Sequence, residues 1–141
     1  MAETFISLTL SNKLSELDAL TRGLEQFGAA AGLSTKCIFE LSLAMEELFS
    51  NIVAHGYPEN TDHWIRIHIS RKQEMLIIRL EDEGVPFDPN MADIPDISCS
   101  VENRKIGGLG VHLIKHLMND IVYKRCGNRN ILILKKFLAA S

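Results

Sequence analysis

No apolar stretch in this chain reaches the ~20 residues needed to cross a bilayer before a charge interrupts it, and Met1–Leu10 lacks the basic start and apolar run of a secretory leader. A cytoplasmic protein with no membrane contact is therefore expected. Cysteine is sparse: Cys37, Cys99 and Cys126 cannot all pair within one chain, and their spacing fits no zinc motif. Reduced thiols are the natural reading. Positive charge is not in surplus either, since the formal net charge is -3. Without a basic field to hold a phosphate backbone, direct nucleic-acid binding is not expected, and any phosphate contact must be local. There is no internal repeat, no low-complexity tract and no long, highly charged segment of low hydrophobicity.

What is present is the composition of an ordinary folded protein, with 46% apolar and 23% charged residues in 141 positions. That length fills one hydrophobic core, so residues 1–141 are expected to form a single domain. Phe5–Leu10 alternates as a strand, and Ser11 or Asn12 then offers a helix N-cap. Leu14, Leu17, Leu20, Leu24 and Phe27 recur at helical steps, which predicts a first helix out to about Ala31, with Gly32 ending it. Ser34 is positioned to cap a second helix carrying Ile38, Leu41, Met45, Leu48 and Ile52 as far as about His55. Trp64–Ile69 and Met75–Leu80 read as strands joined by a short polar hairpin link. Val85–Lys105 holds three prolines and little periodicity, and a long loop is expected there. Val111–Met118 follows as a helix, then Ile121–Lys124 and Ile131–Phe137 as strands. This order suggests an α+β fold, a two-layer sandwich of a mixed, mostly antiparallel sheet with helices on one face.

Three short segments carry chemistry. On a helix Glu47 and Asn51 lie roughly 40° apart and one turn from each other, whereas Glu46 lies about 140° from Asn51 and is expected to be a solvated surface charge. An amide oxygen suits Mg²⁺, and a carboxylate one turn away can orient or deprotonate a nucleophile. The spacing alone is equally that of a solvated glutamate and a helix-terminal asparagine. Asp82 and Gly84 stand where a strand ends: a carboxylate there can accept a hydrogen bond from an exocyclic base amine, and glycine lets backbone approach a flat ring. A polar strand end with a turn would look the same. The run Gly107-Gly108-Leu109-Gly110 leads into a helix, so backbone N–H groups converge where an anion could sit. It is neither a Walker motif nor a dinucleotide-binding fingerprint, and a bare glycine cluster is also a common flexible turn. His112 and His116 are four apart on the same helix, but no further ligand stands at a compatible spacing to complete a metal site.

Taken in order, Glu47-Leu48-Phe49-Ser50-Asn51 with Ala54-His55-Gly56-Tyr57, then Asp82-Glu83-Gly84 with Phe87-Asp88-Pro89, then Gly108-Leu109-Gly110, resemble the N, G1 and G2 boxes of the GHKL ATPases. These include gyrase, heat-shock chaperone, histidine kinase and mismatch-repair proteins, and the anti-sigma-factor serine kinases match best. The resemblance spans nearly the whole chain and implies the Bergerat-like ATP-binding fold. It implies that Glu47 is the catalytic base and that Asn51 is the magnesium ligand. Asp82 would bind the adenine amine and Gly84 would line the base pocket. His55, Gly107, Gly108, Leu109 and Gly110 would complete the nucleotide site, and Val85–Lys105 would be its lid. Family members often carry a threonine near the start of the last strand to support the base; here Asn130 and Ile131 stand there.

The function so implied is an ATP- and Mg²⁺-dependent serine/threonine protein kinase acting as an anti-sigma regulatory factor. It would phosphorylate an antagonist protein and sequester a sigma factor, with a homodimer left open. The alternative is a non-catalytic, nucleotide-gated protein-binding module. A histidine kinase is disfavoured because no long helical hairpin with a phosphoacceptor histidine accompanies these motifs.

Overall fold

The computed structural model describes residues 4–57, 61–86 and 109–138, with the side chains of 109–112 not described. Among the described residues, five strands and three α-helices follow in the order β1 (Thr4–Ser11), α1 (Leu17–Ala30), α2 (Thr35–His55), β2 (Trp64–Lys72), β3 (Met75–Asp82), α3 (Leu109–Leu117), β4 (Asp120–Cys126) and β5 (Arg129–Phe137). The strands form one sheet in the order β1-β2-β3-β5-β4. The two-layer α+β arrangement is the one expected. All four pairings are antiparallel, however, so the described strands lack the parallel component of a mixed sheet.

Local chemistry accounts for the start of α2 and the end of α1. Ser34 caps α2, its hydroxyl oxygen accepting from the Cys37 N–H at 3.1 Å. Helix α1 stops at Gly32, whose φ of +70° suits glycine. There the Leu33 N–H donates to the Gly28 carbonyl and the Gly32 N–H to that of Ala29, which satisfies two end carbonyls. The start of α1 departs from the expected pattern. Leu14–Glu16 forms a 3-10 turn and α1 begins at Leu17. Neither Ser11 nor Asn12 caps it. Ser11 instead donates its hydroxyl to Glu16 Oε1 at 2.9 Å. Asn12 is drawn away to the other chain segment beside it, bonding the Thr61 carbonyl and the His63 N–H, each at 2.9 Å.

Strand alternation then builds the core. Ile65, Ile67 and Ile69 of β2, Leu76, Ile78 and Leu80 of β3, and Leu132 and Leu134 of β5 are buried, together with Leu20, Leu24 and Phe27 of α1 and Leu41, Met45, Leu48 and Phe49 of α2. The same inward phase continues to the strand ends, where it places Asp82 after Leu80 and Asn130 before Leu132. Both are buried, and they are direct partners in the β3–β5 register. The packing that forms the core thus delivers two polar side chains to one edge of it.

Candidate functional site

Between the C-terminal end of α2 and these strand ends lies a cavity with apolar walls from Leu48, Ile52, Leu80 and Leu132. Its polar groups are Asn51, Asp82, Asn130 and Tyr123, and the exposed His55 stands at its mouth. The cavity holds only about 30 Å³, whereas a cleft of about 480 Å³ lies at the opposite end of the sheet, beside Ser34, Arg71 and Lys136. Chemistry rather than volume selects the site. In the larger cleft Arg71 is spent on the Ala31 and Gln73 carbonyls and Lys136 on the Leu117 carbonyl.

Asp82 ends β3 with its Oδ1 accepting from the Gly84 N–H at 2.8 Å and from Asn130 Nδ2 at 3.0 Å. Burial pushes its carboxyl above the usual range, against those two hydrogen bonds and the nearby Arg125 charge, which pull it down. Asn130 is tied on both edges. Its Nδ2 faces the carbonyls of Gly84 at 3.2 Å and Val85 at 2.9 Å, while its Oδ1 accepts from Tyr123 and, at 3.0 Å, from Arg125. Arg125 also donates to the Gly84 carbonyl at 2.7 Å.

The turn after α2 is fastened to the same segment. The Val85 N–H donates to the Gly56 carbonyl at 2.8 Å, and the Glu83 N–H donates to the Tyr57 hydroxyl at 3.1 Å. Tyr57 stacks on His63 with ring centroids 4.6 Å apart. Burial raises the Tyr57 hydroxyl to about 12, so it stays protonated at neutral pH. Gly84 does not face the cavity. A Cβ there would lie 2.6 Å from the Gly56 carbonyl oxygen, and its bare backbone is what lets the two turns touch. Gly56 and Val85 supply the wall expected of Gly84.

Asn51 is buried at 8% exposure, and its Nδ2 has no hydrogen-bond partner among the described residues. A buried amide left unspent costs free energy, about 1–3 kcal/mol, unless a ligand or water meets it. Glu47 stands one turn earlier on α2, half-buried, outside the cavity wall and without an ion pair to another described residue. Glu46 is not the solvated charge expected. It is half-buried and accepts from the Thr21 hydroxyl of α1 at 3.2 Å, because the face away from Asn51 meets that helix. Leu109 and Gly110 open α3, and Gly107, Gly108 and most of the expected lid, 87–105, lie outside the described residues. Among the described residues no cluster of three metal-ligating histidine, cysteine or acidic side chains occurs, and no helix is long and apolar enough to cross a membrane.

Sequence reasoning placed Asp82 and Asn51 at the site but gave no role to Tyr123 or Arg125. It left the support at the last strand unassigned between Asn130 and Ile131. One signal was available: Asn130 is polar at a position in phase with inward-facing Leu132 and Leu134.

A buried carboxylate at a strand end, facing an unspent amide on a helix across an apolar slot, is the arrangement of a nucleotide-binding ATPase domain. The model of the histidine kinase-like ATPase domain matches residues 10–136, and the chain belongs to that family. Among curated relatives, the serine/threonine-protein kinase BtrW of Bordetella bronchiseptica is 27% identical over 111 residues, covering 79% of this chain and 78% of its own. The serine-protein kinase RsbW of Listeria monocytogenes is 30% identical over 120 residues, 82% of this chain and 76% of its own. RsbW of Bacillus cereus is 33% identical over 108 residues, 74% and 67% of the two chains. The histidine kinase domain of the blue-light activated kinase from Erythrobacter litoralis superposes with a TM-score of 0.56 at 17% identity. It matches 85% of this chain and 61% of that one, and bears on the fold alone.

Proposed function

We propose that this chain is an ATP-dependent serine/threonine protein kinase that acts as an anti-sigma regulatory factor, phosphorylating an antagonist protein and sequestering a sigma factor. The observation that carries the reading is the single cavity shared by Asp82 and Asn51, with a base acceptor at one side and an unspent buried amide at the other. Relatives named as serine-protein kinases, each matching about three-quarters or more of this chain, support the same conclusion.

In this reading the adenine ring enters between Leu48, Ile52, Leu80 and Leu132, and Asp82 accepts a hydrogen bond from its exocyclic amine. His55 sits at the mouth, and Gly107, Gly108, Leu109 and Gly110 meet the phosphates. The segment Val85–Lys105 covers them. The side-chain oxygen of Asn51 is the atom that would hold magnesium, since such sites use few protein ligands and complete their shell with phosphate oxygens and water, while its unpartnered Nδ2 is left as a donor for a ligand or water. When bound, magnesium would offset phosphate charge. Glu47 takes the proton of the acceptor serine or threonine hydroxyl as its oxygen bonds the γ-phosphorus and the bond to the bridging oxygen breaks, releasing ADP.

A second reading, a nucleotide-gated binding module without transfer, is favoured by one observation: Glu47 stands outside the cavity wall. Incubating the protein with γ-labelled ATP, magnesium and its co-encoded antagonist candidate separates the two. Label on the antagonist is expected; nucleotide binding and antagonist binding without label would leave the module.

A further inference from the structure

We propose that the outward face of the sheet is a docking surface for a short acidic segment of a protein partner, which seats its carboxylates on Arg66, Arg79 and Arg129. The inference stands apart from the nucleotide reading, because these groups lie on the other side of β3 from the cavity.

The alternation that sends Leu80 and Asp82 inward sends Arg79 and Glu81 outward. The Glu81 side chain is only 13% exposed, and guanidinium groups from three strands gather on it: Arg129 at 3.0 Å, Arg79 at 3.5 Å and Arg66 at 3.9 Å. One carboxylate offsets one cation, so positive charge is left over. Lys124 and Lys135 share the outward phase of β4 and β5, where Asp120 is the other carboxylate among the described strand residues. The chain as a whole carries a formal charge of -3, which makes this face an island of opposite sign. Gathering like charges costs energy, and incoming carboxylates offset that cost.

The surface is also preshaped. His68 Nδ1 lies 2.7 Å from the Ser7 hydroxyl, and its ring stacks on Phe5 with centroids 5.4 Å apart. Ser7, His68 and the three arginines line a shallow depression of about 500 Å³. Phe5 and Trp64, each 60% exposed, stand beside it in the outward phase of β1 and β2. Arginine and aromatic side chains are the usual anchors of protein interfaces, and paired strands have little backbone freedom left to lose on binding.

Charge selects the occupant. A second copy docked by the same face would set this cation cluster against its own image. A nucleic-acid backbone would run on past the patch over an acidic remainder, whereas a short acidic segment ends within it.

The test uses a fluorescein-labelled peptide of glutamates around one leucine, and an oligothymidylate of equal charge, titrated with the protein by fluorescence anisotropy. The parent should bind the peptide more tightly than the oligothymidylate, and less tightly as salt rises. The double variant Arg66→Glu, Arg79→Glu should lose about tenfold in peptide affinity and keep the parent's ATP affinity, which reports an intact fold. Because the reversed charges also face Glu81, the neutral pair Arg66→Gln, Arg79→Gln is measured beside it and should show a smaller loss; it decides the matter where the reversed pair fails to fold. A parent that does not bind the peptide, substituted pairs that bind it as the parent does, or tighter binding of the oligothymidylate overturns the proposal. So does a parent that sediments as a dimer while the substituted pairs sediment as monomers, which would assign the face to a second copy. A parent that binds the peptide but no ATP would remove the nucleotide reading and leave this one standing.

Discussion

Asp82 and Asn130 face each other across β3 and β5 as direct register partners, each 6% exposed, with Asn130 Nδ2 donating to Asp82 Oδ1 at 3.0 Å. A carboxylate held inside a core-phase position is an unfavourable arrangement for stability alone. Burial raises its pKa, which means that the folded state resists its ionisation. Such placement is retained where the charge has work to do.

Asp82→Asn should therefore separate stability from binding. A raised acid pKa contributes stability below the ordinary aspartate value of about 3.9, and that contribution is lost as pH rises through the folded value. The parent should thus lose stability relative to Asp82→Asn over that rise, while the variant's affinity for ATP and ADP falls roughly 10- to 100-fold with the loss of a charged acceptor. Urea unfolding at a series of pH values and calorimetry check the two halves. A variant that binds ATP as the parent does takes Asp82 out of the site.

Glu47→Gln removes proton acceptance at nearly constant volume, and general-base losses run about 100- to 10,000-fold in rate. ATP affinity should largely survive, because the cavity wall is untouched. Glu46→Gln keeps an oxygen for Thr21 and should leave binding and transfer near normal. Single-turnover phosphorylation of the antagonist by both variants is the measurement; undiminished transfer by Glu47→Gln would favour the binding module.

Gly84→Ala puts a methyl group 2.6 Å from the Gly56 carbonyl oxygen and 2.9 Å from Asp82 Oδ1. Backbone cannot yield as a side-chain tip does, so the two turns must part. A loss of about 1–3 kcal/mol is expected from such overpacking, with weaker nucleotide binding because Asp82 is displaced. Thermal unfolding and calorimetry on the one variant test both; an unchanged melting temperature would contradict the contact.

Tyr57 should ionise at about 12, above the ordinary 10 of a tyrosine, chiefly because it is partly buried. The unfolded chain loses this proton first, so the contribution to stability falls as pH rises from about 10 toward about 12. Difference absorbance of the parent against Tyr57→Phe isolates the transition. A midpoint near 10 would mean that the hydroxyl is fully hydrated.

The sequence by itself determined what acts over one or two turns of chain. Leu41, Met45 and Leu48 repeat at a spacing that only a helix brings to one face, Ser34 stands where an N–H needs a cap, and Gly32 where the backbone turns left-handed. The order of Glu47, Asn51, Asp82 and the glycine run was likewise sufficient for the family, because motif spacing is a property of the chain. Tertiary structure decided the rest. Asn130 became Asp82's partner because β5 pairs with β3 over a separation of 48 residues, across which no periodicity carries register information. Ser11 lost its capping role to the pull of Glu16, and Gly84 gained a contact with Gly56 that neither neighbourhood encodes. Local patterns decide which face of an element is apolar, whereas pairing between distant strands is settled by which register buries those faces together, and the polar side chains at the strand ends follow that outcome.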